Sequence, residues 1–415
     1  MSPESFDASS GKTSPEKTSS QTWRDVPATV WTLGFVSLLM DVSSELIHGL
    51  LPVFLTSVLG AGTVYVGVIE GIADATAAVT KVFSGAFSDR IGKRKLLVGI
   101  GYGLSAVTKP IFPLAGTAWE ILAARFIDRI GKGIRDAPRD ALIADITPSA
   151  VRGAGYGIRQ ALDTVGAFAG PLSAVVLMAL YADNFRAVFW WALLPAGLAV
   201  LLIIVGVQEP DGTRAATRRG WPVRKQDLER MPRVFWIVIA IGVVFALARF
   251  SQAFLVLKAQ AEGLALALIP LVLVWMNFIY ALAATPAGIL SDKIGRVNVL
   301  LCGLAALVVA DLALAFIPGL GGVVIGVAFW GLYLGFSQGL LAALVADTAP
   351  EDLRGTAFGL FNLVTGGALL VASVLAGWLW SGFGPTATFG AGAVFSGLAI
   401  LVVAFGFKVR PKPAA

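Results

Sequence analysis

The sequence predicts an all-α membrane protein with twelve transmembrane helices, arranged as two parallel six-helix repeats. Hydrophobic residues make up 57% of the 415 residues and charged residues only 14%, a balance outside the range of soluble domains of this length. Two motifs recur about half the chain apart, and one basic stretch divides the hydrophobic sequence near its middle. These three observations together indicate two similar membrane-embedded halves.

The repeated motifs recur with nearly the same offset. The stretch 85–92 reads GAFSDRIG and recurs at 288–295 as GILSDKIG, an offset of 203 residues (288 − 85). The stretch 141–148 reads ALIADITP and recurs at 343–350 as ALVADTAP, an offset of 202 residues (343 − 141). Such repeats in an apolar chain are typical of a transporter built from two similar halves, with its substrate site where the halves meet.

Apolar windows of about 20 residues, bounded by Gly, Pro or charged residues, predict the individual spans. In the first half these are 28–55, 63–88, 96–115, 117–140, 154–181 and 185–207. In the second half they are 234–258, 267–290, 298–317, 320–345, 356–381 and 385–408. The predicted domains are a disordered cytoplasmic tail (1–27), an N-terminal six-helix bundle (28–207), a basic cytoplasmic linker (208–233), a C-terminal six-helix bundle (234–408) and a cytoplasmic tail (409–415).

The distribution of Lys and Arg predicts the orientation. The linker holds seven basic residues, namely Arg214, Arg218, Arg219, Arg224, Lys225, Arg230 and Arg233. Cytoplasmic loops carry an excess of Lys and Arg, so both termini are expected on the cytoplasmic side of the inner membrane. Six spans per half is an even number, so both halves share one orientation and the repeats are parallel.

The composition also excludes several classes of site. Cys302 is the only cysteine and His48 the only histidine, so a disulfide framework, a thiolate metal centre and a histidine-rich metal site are all unsupported. The net charge of +6 is explained by basic residues in cytoplasmic loops, as the positive-inside rule describes, and it does not indicate nucleic-acid binding. No nucleotide-binding loop is present, so we expect a proton gradient as the energy source, with no cofactor and no enzymatic activity. The expected partners are a small-molecule substrate and the lipid bilayer, and the expected state is a monomer.

Short motifs carry a resemblance to a known family. The loop after the second span, Gly85 to Lys95, reads GAFSDRIGKRK, and a weaker copy follows the eighth span. The fourth span contains RIGKG at 129–133, and the fifth contains GAFAGP at 166–171. The chain after residue 27 therefore resembles the major facilitator superfamily, and the fifth-span motif resembles the Gly-x-x-x-Gly-Pro signature of its proton-driven exporters.

The resemblance implies a transporter that works by alternating access, with residues that control its conformation. By analogy, Asp89 holds a neighbouring span and so stabilises one conformation; the alternative is that the basic loop only fixes topology. The positions expected to act in gating are Gly85, Asp89, Arg90, Gly92, Gly288, Asp292, Gly295, Gly166, Gly170 and Pro171. The three fifth-span residues are equally compatible with simple small-residue packing.

Charged residues inside the predicted spans indicate a polar interior, because an ionised side chain near a helix centre costs about 2.5–3.5 kcal/mol on insertion scales. Eight charged residues of the fourth span fall within an arc of about 140° at 100° per residue. Asp41, Glu45 and His48 share one face of the first span. The candidate proton-coupling residues are Asp41, Glu45, His48 and Asp136. The candidate substrate-binding residues are Arg125, Arg129, Arg135, Arg159, Asp163, Arg249, Gln252, Asn277, Gln338 and Asn362. A structural alternative is that N-terminal charges pair with one another, for example Asp128 with Lys132 and Arg159 with Asp163.

These features predict a secondary active transporter of a small anionic or amphipathic molecule. The fifth-span motif favours proton-coupled antiport, that is, efflux. The excess of Arg and Lys on the fourth and seventh spans favours an alternative, proton-coupled uptake or release of a carboxylate-rich compound such as a siderophore or an organic acid. A rival from another class is a membrane sensor or scaffold without transport.

Overall fold

The computed structural model describes residues 26–91, 93–148, 151–207, 225–350 and 353–408, and within these ranges the secondary structure is helical. We number the helices by membrane pass. In the N-terminal bundle, α1 is Ala28–His48 with its continuation Leu51–Val53 and Phe54–Val58, α2 is Thr63–Ile91, α3 is Arg94–Thr108 with Ile111–Leu114, α4 is Ala118–Ile146, α5 is Arg152–Leu180, and α6 is Phe185–Trp190 with Leu193–Gly206. In the C-terminal bundle, α7 is Arg233–Ala248 with Ala253–Ala261, α8 is Leu271–Ile294, α9 is Arg296–Phe316, α10 is Gly319–Thr348, α11 is 354–383 and α12 is 385–408. A short helix, Lys225–Glu229, precedes α7.

Local sequence explains where several helices begin. Thr117 and Glu120 form a capping box at the start of α4, in which each side chain satisfies a backbone N–H of the other. Gly295 has a φ of +87° between α8 and α9, and Gly384 has a φ of +83° between α11 and α12. A side chain at either position would be strained, so glycine permits both sharp connections. Pro385 directly after Gly384 suits the first turn of a helix.

The first helix of each half is interrupted at an equivalent position. In α1 the break lies at Gly49 and Leu50, and in α7 it lies at 249–252. Adding the repeat offset of 202 to 49–50 gives 251–252, within the second break. Interrupted helices in matching places of two repeats are the usual position of transporter binding sites.

The two bundles meet along α2 and α11. Thr63 donates a hydrogen bond to the Gly377 carbonyl, with an Oγ1–O distance of 3.1 Å, near the end of α2 that is opposite the chain termini. Near the termini side, a methyl group on Gly359 would lie 2.9 Å from Val82. On the opposite side Gln260 of α7 donates to Ser57 of α1, with an Nε2–Oγ distance of 2.7 Å. The bundles therefore touch along α2 and α11 and again at the side opposite the termini.

The predicted all-α fold with twelve passes is confirmed. Nine helices of the described ranges meet length and hydropathy criteria for a membrane span. One of them, Arg354–Ala404, holds both α11 and α12, and the charge-rich helices α2 and α4 fall outside the criteria, which gives twelve passes (9 + 1 + 2). The helix α4 continues to Ile146, six residues beyond the predicted end of the fourth span at residue 140. These last turns, 141–146, are mainly apolar, and their Leu142 and Ile143 side chains are buried.

Two parts of the predicted domain organisation lie mostly outside the described residues. These are the tails, of which residues 26 and 27 are described and 409–415 are not, and the linker stretch 208–224. The predicted disorder of the first tail and the predicted linker therefore stay predictions.

Candidate functional site

A chain of ionic hydrogen bonds crosses the N-terminal bundle through α1, α2 and α4. The His48 ring contacts Glu45 through Nδ1 at 3.4 Å and Glu70 through Nε2 at 3.1 Å. The same Glu70 oxygen accepts a hydrogen bond from Arg125 Nη2 at 2.7 Å. Glu70 and Arg125 are buried, whereas Glu45 and His48 are half-buried. Two predicted proton-coupling residues and one predicted substrate residue are therefore joined in one network.

Asp41 lies one helical turn before Glu45 and has a different environment. Its carboxylate is half-buried and makes no hydrogen bond to any described residue. The strongest electrostatic interaction of the Asp41 carboxylate with a charged side chain is the one with Lys132 of α4, followed by those with Asp163 and Arg135. Among the predicted proton-coupling residues that the structure describes, Asp41 is the one whose carboxylate is left without a partner.

The fifth-span glycines contact α1 at these two acids. A methyl group on Gly166 would lie 2.9 Å from the Asp41 Cβ, and one on Gly170 would lie 2.8 Å from the Glu45 Cβ. Pro171 is buried directly after Gly170 within α5. The two glycines thus let α5 approach the backbone that carries both acids. The sequence singled out the glycine motif and the acids separately and did not predict that they touch.

The predicted pair between Asp128 and Lys132 is wrong. Asp128 instead binds Lys109, with an Nζ–Oδ1 distance of 3.3 Å, and Lys109 also donates to Ser44 at 3.0 Å. Lys109 sits in the turn inside α3, expected at the membrane surface, yet it is only 1% exposed because its long side chain reaches inward. The Lys132 amine consequently has no hydrogen-bond partner among the described residues.

The remaining cations of α4 differ in how well they are paired. Arg135 donates to Ser105 at 2.6 Å and lies 4.4 Å above the Tyr102 ring, and Arg139 donates to Ser37 at 2.8 Å. By contrast, Arg129 makes no hydrogen bond to a described residue, and its buried Nε is unsatisfied. Arg129 is surrounded by the charges of Asp128, Asp74, Glu70 and Glu45. Among the described residues of α4, Arg129 and Lys132 are therefore the two cations whose side chains form no hydrogen bond.

Two further predicted site residues pair with each other. Arg159 contacts Asp163 at 3.1 Å, which confirms the predicted i, i+4 pair, and it lies 3.5 Å from Asp140 of α4. Asp136 lies 3.8 Å from Arg139. The contact of Arg159 with Asp140 joins α5 to α4, and Arg139 also contacts Asp140 at 3.2 Å, so three predicted site residues occupy a shared ionic cluster.

In the C-terminal bundle the predicted polar residues are not brought into the N-terminal network. Arg249 lies in the break of α7 and interacts electrostatically with the Tyr333 hydroxyl of α10. Gln252, Asn277 and Asn362 are half-buried and Gln338 is exposed. Within the described ranges the side chains of these residues form no hydrogen bond with the N-terminal bundle. They stay predicted substrate residues without a contact that tests them.

The structure describes some of the predicted gating residues and leaves others out. Gly85 contacts Ala137 of α4, where a methyl group would lie at 3.5 Å, and Gly288 faces open space. Gly295 requires glycine because of its positive φ, and Asp292 is exposed. The side chains of Asp89 and Arg90 lie outside the described residues, and so does Gly92 entirely.

One symmetric contact near the gating loops was not predicted. Arg94 lies 2.5 Å from Asp145, and Arg296 forms the matching ion pair with Asp347 in the other half. Both members are offset by 202 residues (296 − 94 and 347 − 145). The repeat of 141–148 pointed to the two aspartates, and the equal spacing of the two arginines was the signal that would have found their partners.

Comparisons with known proteins agree with this architecture. The sequence profile of the Major Facilitator Superfamily matches residues 33–276 and 243–415. An uncharacterized MFS-type transporter of Methanocaldococcus jannaschii, MJ1317, is 34% identical over 393 residues, which are 92% of this chain and 96% of that protein. The gentisate transporter of Corynebacterium glutamicum is 25% identical over 89% of this chain and 86% of its own length. The crystal structure of the nucleoside transporter NupG has a TM-score of 0.74 at 12% identity, covers 93% of this chain and 100% of its own, and is similar in fold. The chain therefore belongs to the Major Facilitator Superfamily, and it is a multi-pass membrane transporter, not an enzyme.

Proposed function

We propose that this protein couples protons to the movement of a small organic anion, with Asp41 as the proton carrier and Arg129 and Lys132 as the anion-binding groups. One observation supports this assignment above the others. The neighbouring cations Lys109, Arg125, Arg135 and Arg139 all have hydrogen-bond partners, whereas Arg129 and Lys132 have none among the described residues. A half-buried cation normally has a partner, so two without one suit a ligand that carries negative charge.

The position of Asp41 next to Lys132 determines whether proton and anion bind together or compete. When Asp41 is ionised, its charge opposes anion binding at Lys132, because Lys132 is the group that acts on it most strongly. When Asp41 takes up a proton, that opposition is removed and Lys132 binds an anion more tightly. Proton and anion then bind together, which corresponds to symport, and the rocking of two bundles exposes the site to each side in turn.

Flux measurements in proteoliposomes test this proposal. We expect a panel of small organic anions, gentisate included, to be accumulated by the wild-type protein when the exterior is made acidic. Arg129→Ala and Lys132→Ala should weaken anion uptake by about tenfold or more, since a hydrogen bond to a charged group is worth about 1.5–3 kcal/mol. Lys293→Ala removes an exposed lysine from the termini side and should leave uptake unchanged.

Asp41→Asn separates binding from coupling. It should retain anion exchange without a gradient and lose the acceleration by an acidic exterior, whereas Glu45→Gln, which loses an ionic partner of His48, should impair both. An Asp41→Asn protein with full pH-driven accumulation would refute the coupling role.

A second candidate function is proton-coupled antiport, that is, efflux of an amphipathic molecule. It is favoured by Gly166, Gly170 and Pro171, which match an exporter signature and pack against the backbone of Asp41 and Glu45. In this case proton and substrate compete, so an acidic exterior would drive substrate out of the vesicle interior. The direction of flux under the same imposed gradient decides between the two functions.

We further propose that the protein lies in the inner membrane as a monomer with both termini in the cytoplasm. The basic residues on the termini side, among them Arg94, Lys95 and Arg296, support this orientation. Labelling of single cysteines at the two chain ends in intact cells, compared with lysed cells, tests the orientation. A membrane sensor or scaffold would show no substrate flux in any of these assays.

A further inference from the structure

Asp311 in α9 is the one acidic residue of the described C-terminal bundle that is fully buried. It is 0% exposed, and both of its carboxylate oxygens lack a hydrogen-bond partner. It belongs to none of the predicted sites and to no part of the proposed anion site. A carboxylate buried in this way without a partner would be very costly as an ion.

The surroundings of Asp311 are aromatic, with two more unsatisfied polar atoms. The Phe250 ring lies 5.2 Å from the Trp330 ring and 5.4 Å from the Phe389 ring, measured between centroids. Trp330 Nε1 and the Ser396 hydroxyl are buried and also lack partners. A methyl group on Gly392 would lie 2.7 Å from Asp311 Oδ2 and 3.0 Å from Phe250, so glycine makes room for the carboxyl group.

No cation compensates this carboxyl group. Among the described residues, Ser396 of α12 supplies the one polar side chain that interacts with the Asp311 carboxyl group, and no charged side chain interacts with it electrostatically. Tyr333 of α10 is the titratable residue that interacts electrostatically with Asp311, and it interacts in the same way with Arg249 in the α7 break. Two carboxylate oxygens and one hydroxyl among aromatic rings do not complete the coordination sphere of a hard metal ion, because hard cations take six or more oxygens. A proton needs only the carboxylate.

We propose that Asp311 is a second proton-binding site, a neutral carboxylic acid in this conformation that exchanges its proton with water when the α7 break moves. Phe250 connects the two features, because it lies within the break at 249–252 and because its ring and the Asp311 carboxyl group both lie within 3.0 Å of the space that a methyl group on Gly392 would occupy. When Phe250 moves aside, the O–H bond breaks, the proton passes to a water molecule and the carboxylate remains. The proposal is independent of the role proposed for Asp41.

Infrared spectroscopy of the full chain in liposomes at neutral pH tests the protonation state without any substrate. Because Asp41 is itself proposed to carry a proton, the test uses Asp41→Asn: we expect a protonated carboxylic acid band in Asp41→Asn and its loss when Asp311→Asn is added. Labelling with [13C]aspartate should shift the same band, which assigns it to aspartate even if Asp311→Asn fails to fold. A spectrum of Asp41→Asn without such a band, or a band that survives in the folded double variant of Asp41→Asn and Asp311→Asn, overturns the proposal.

The connection to the α7 break is tested by deuterium exchange. A Ser57→Cys, Gln260→Cys pair in a Cys302→Ser background should form a disulfide, because the two side chains already hydrogen bond at 2.7 Å. This bond holds Ala253–Ala261, the segment after the break, against α1. In heavy water the Asp311 band should shift about tenfold more slowly in the oxidised than in the reduced protein, a barrier difference of about 1.4 kcal/mol. Equal exchange rates would overturn the proposal. Neither result depends on whether Asp41 drives transport, so the two proposals fail separately.

Discussion

The two bundles repeat one fold with opposite interiors. The N-terminal interior is ionic: Glu70, Arg125, Lys109 and Asp128 are all buried in pairs. The corresponding C-terminal interior is aromatic, around Phe250, and among its described residues Asp311 is the one buried acid, which has no hydrogen-bond partner. Ion pairs of the described C-terminal bundle lie instead at helix ends, as Arg296 with Asp347 and Lys258 with Glu262.

This contrast indicates a division of labour. Buried ion pairs often stabilise no more than apolar packing of the same volume would, because desolvation offsets their attraction. We therefore propose that the N-terminal bundle keeps its buried ion pairs for anion binding and coupling, whereas the aromatic C-terminal bundle contributes mainly apolar packing. The asymmetry between halves was visible in the sequence, and the structure adds which charges are paired.

The largest expected effect concerns the buried pair of Glu70 and Arg125. Arg125→Ala removes the permanently charged partner of the buried Glu70 carboxylate and leaves it the contact with His48, so it should lower the free energy of unfolding by about 3–5 kcal/mol. Glu70→Leu combined with Arg125→Leu should regain most of that stability while transport stays lost. Both values come from denaturant unfolding of the purified protein. If the double variant is as unstable as Arg125→Ala, the ionic interior serves stability and the proposed division is wrong.

A smaller effect is expected where α5 meets α1. Gly170→Ala places a methyl group 2.8 Å from the Glu45 Cβ and 2.9 Å from the Val42 carbonyl oxygen. Overpacking of this kind should cost about 1–3 kcal/mol and move Glu45 away from His48. Gly157→Ala on the same helix faces open space and serves as the matched control, with equal or higher stability. Thermal unfolding and flux assays report both; a stable, fully active Gly170→Ala protein would show that this close approach is dispensable.

The sequence predicted the fold far better than the site. Hydropathy, the 202-residue repeat and the basic linker sufficed for twelve passes, because each depends on composition along the chain. Which charged side chains pair depends on distances between helices, and the spacing of residues along a single helix does not predict those distances. Spacing of four residues favoured Asp128 with Lys132, yet Lys109 reaches Asp128 from another helix, and that exchange is what leaves Lys132 free. The contact of Gly166 with Asp41 needed the packing of α5 on α1 in the same way.

A modest effect is expected for the symmetric pairs at the termini side. Arg94 and Asp145 are less exposed than Arg296 and Asp347, with side-chain exposures of 17% and 32% against 36% and 57%. Asp145→Asn should therefore cost more stability than Asp347→Asn, with both at or below about 1 kcal/mol. Added salt should reduce the difference, since it screens exposed charges. Equal losses from the two substitutions, unaffected by salt, would contradict this ranking.

The smallest expected effect is a pH dependence at the end of α7, in the half without an ionic interior. Glu262 accepts a hydrogen bond from Lys258 and another from the Gly319 backbone N–H at 2.7 Å, which ties α7 to the start of α10. These bonds, led by the one from Lys258, lower the pKa of Glu262 below its ordinary value. A lowered pKa means that the folded protein favours the ionised form, so the stabilisation is complete above the ordinary Glu pKa and is lost as the pH falls through the lower one. Glu262→Gln should remove this acid-side slope from the unfolding curve while leaving stability at high pH slightly reduced. An unchanged slope in Glu262→Gln would assign the acid sensitivity to the ionic bundle instead.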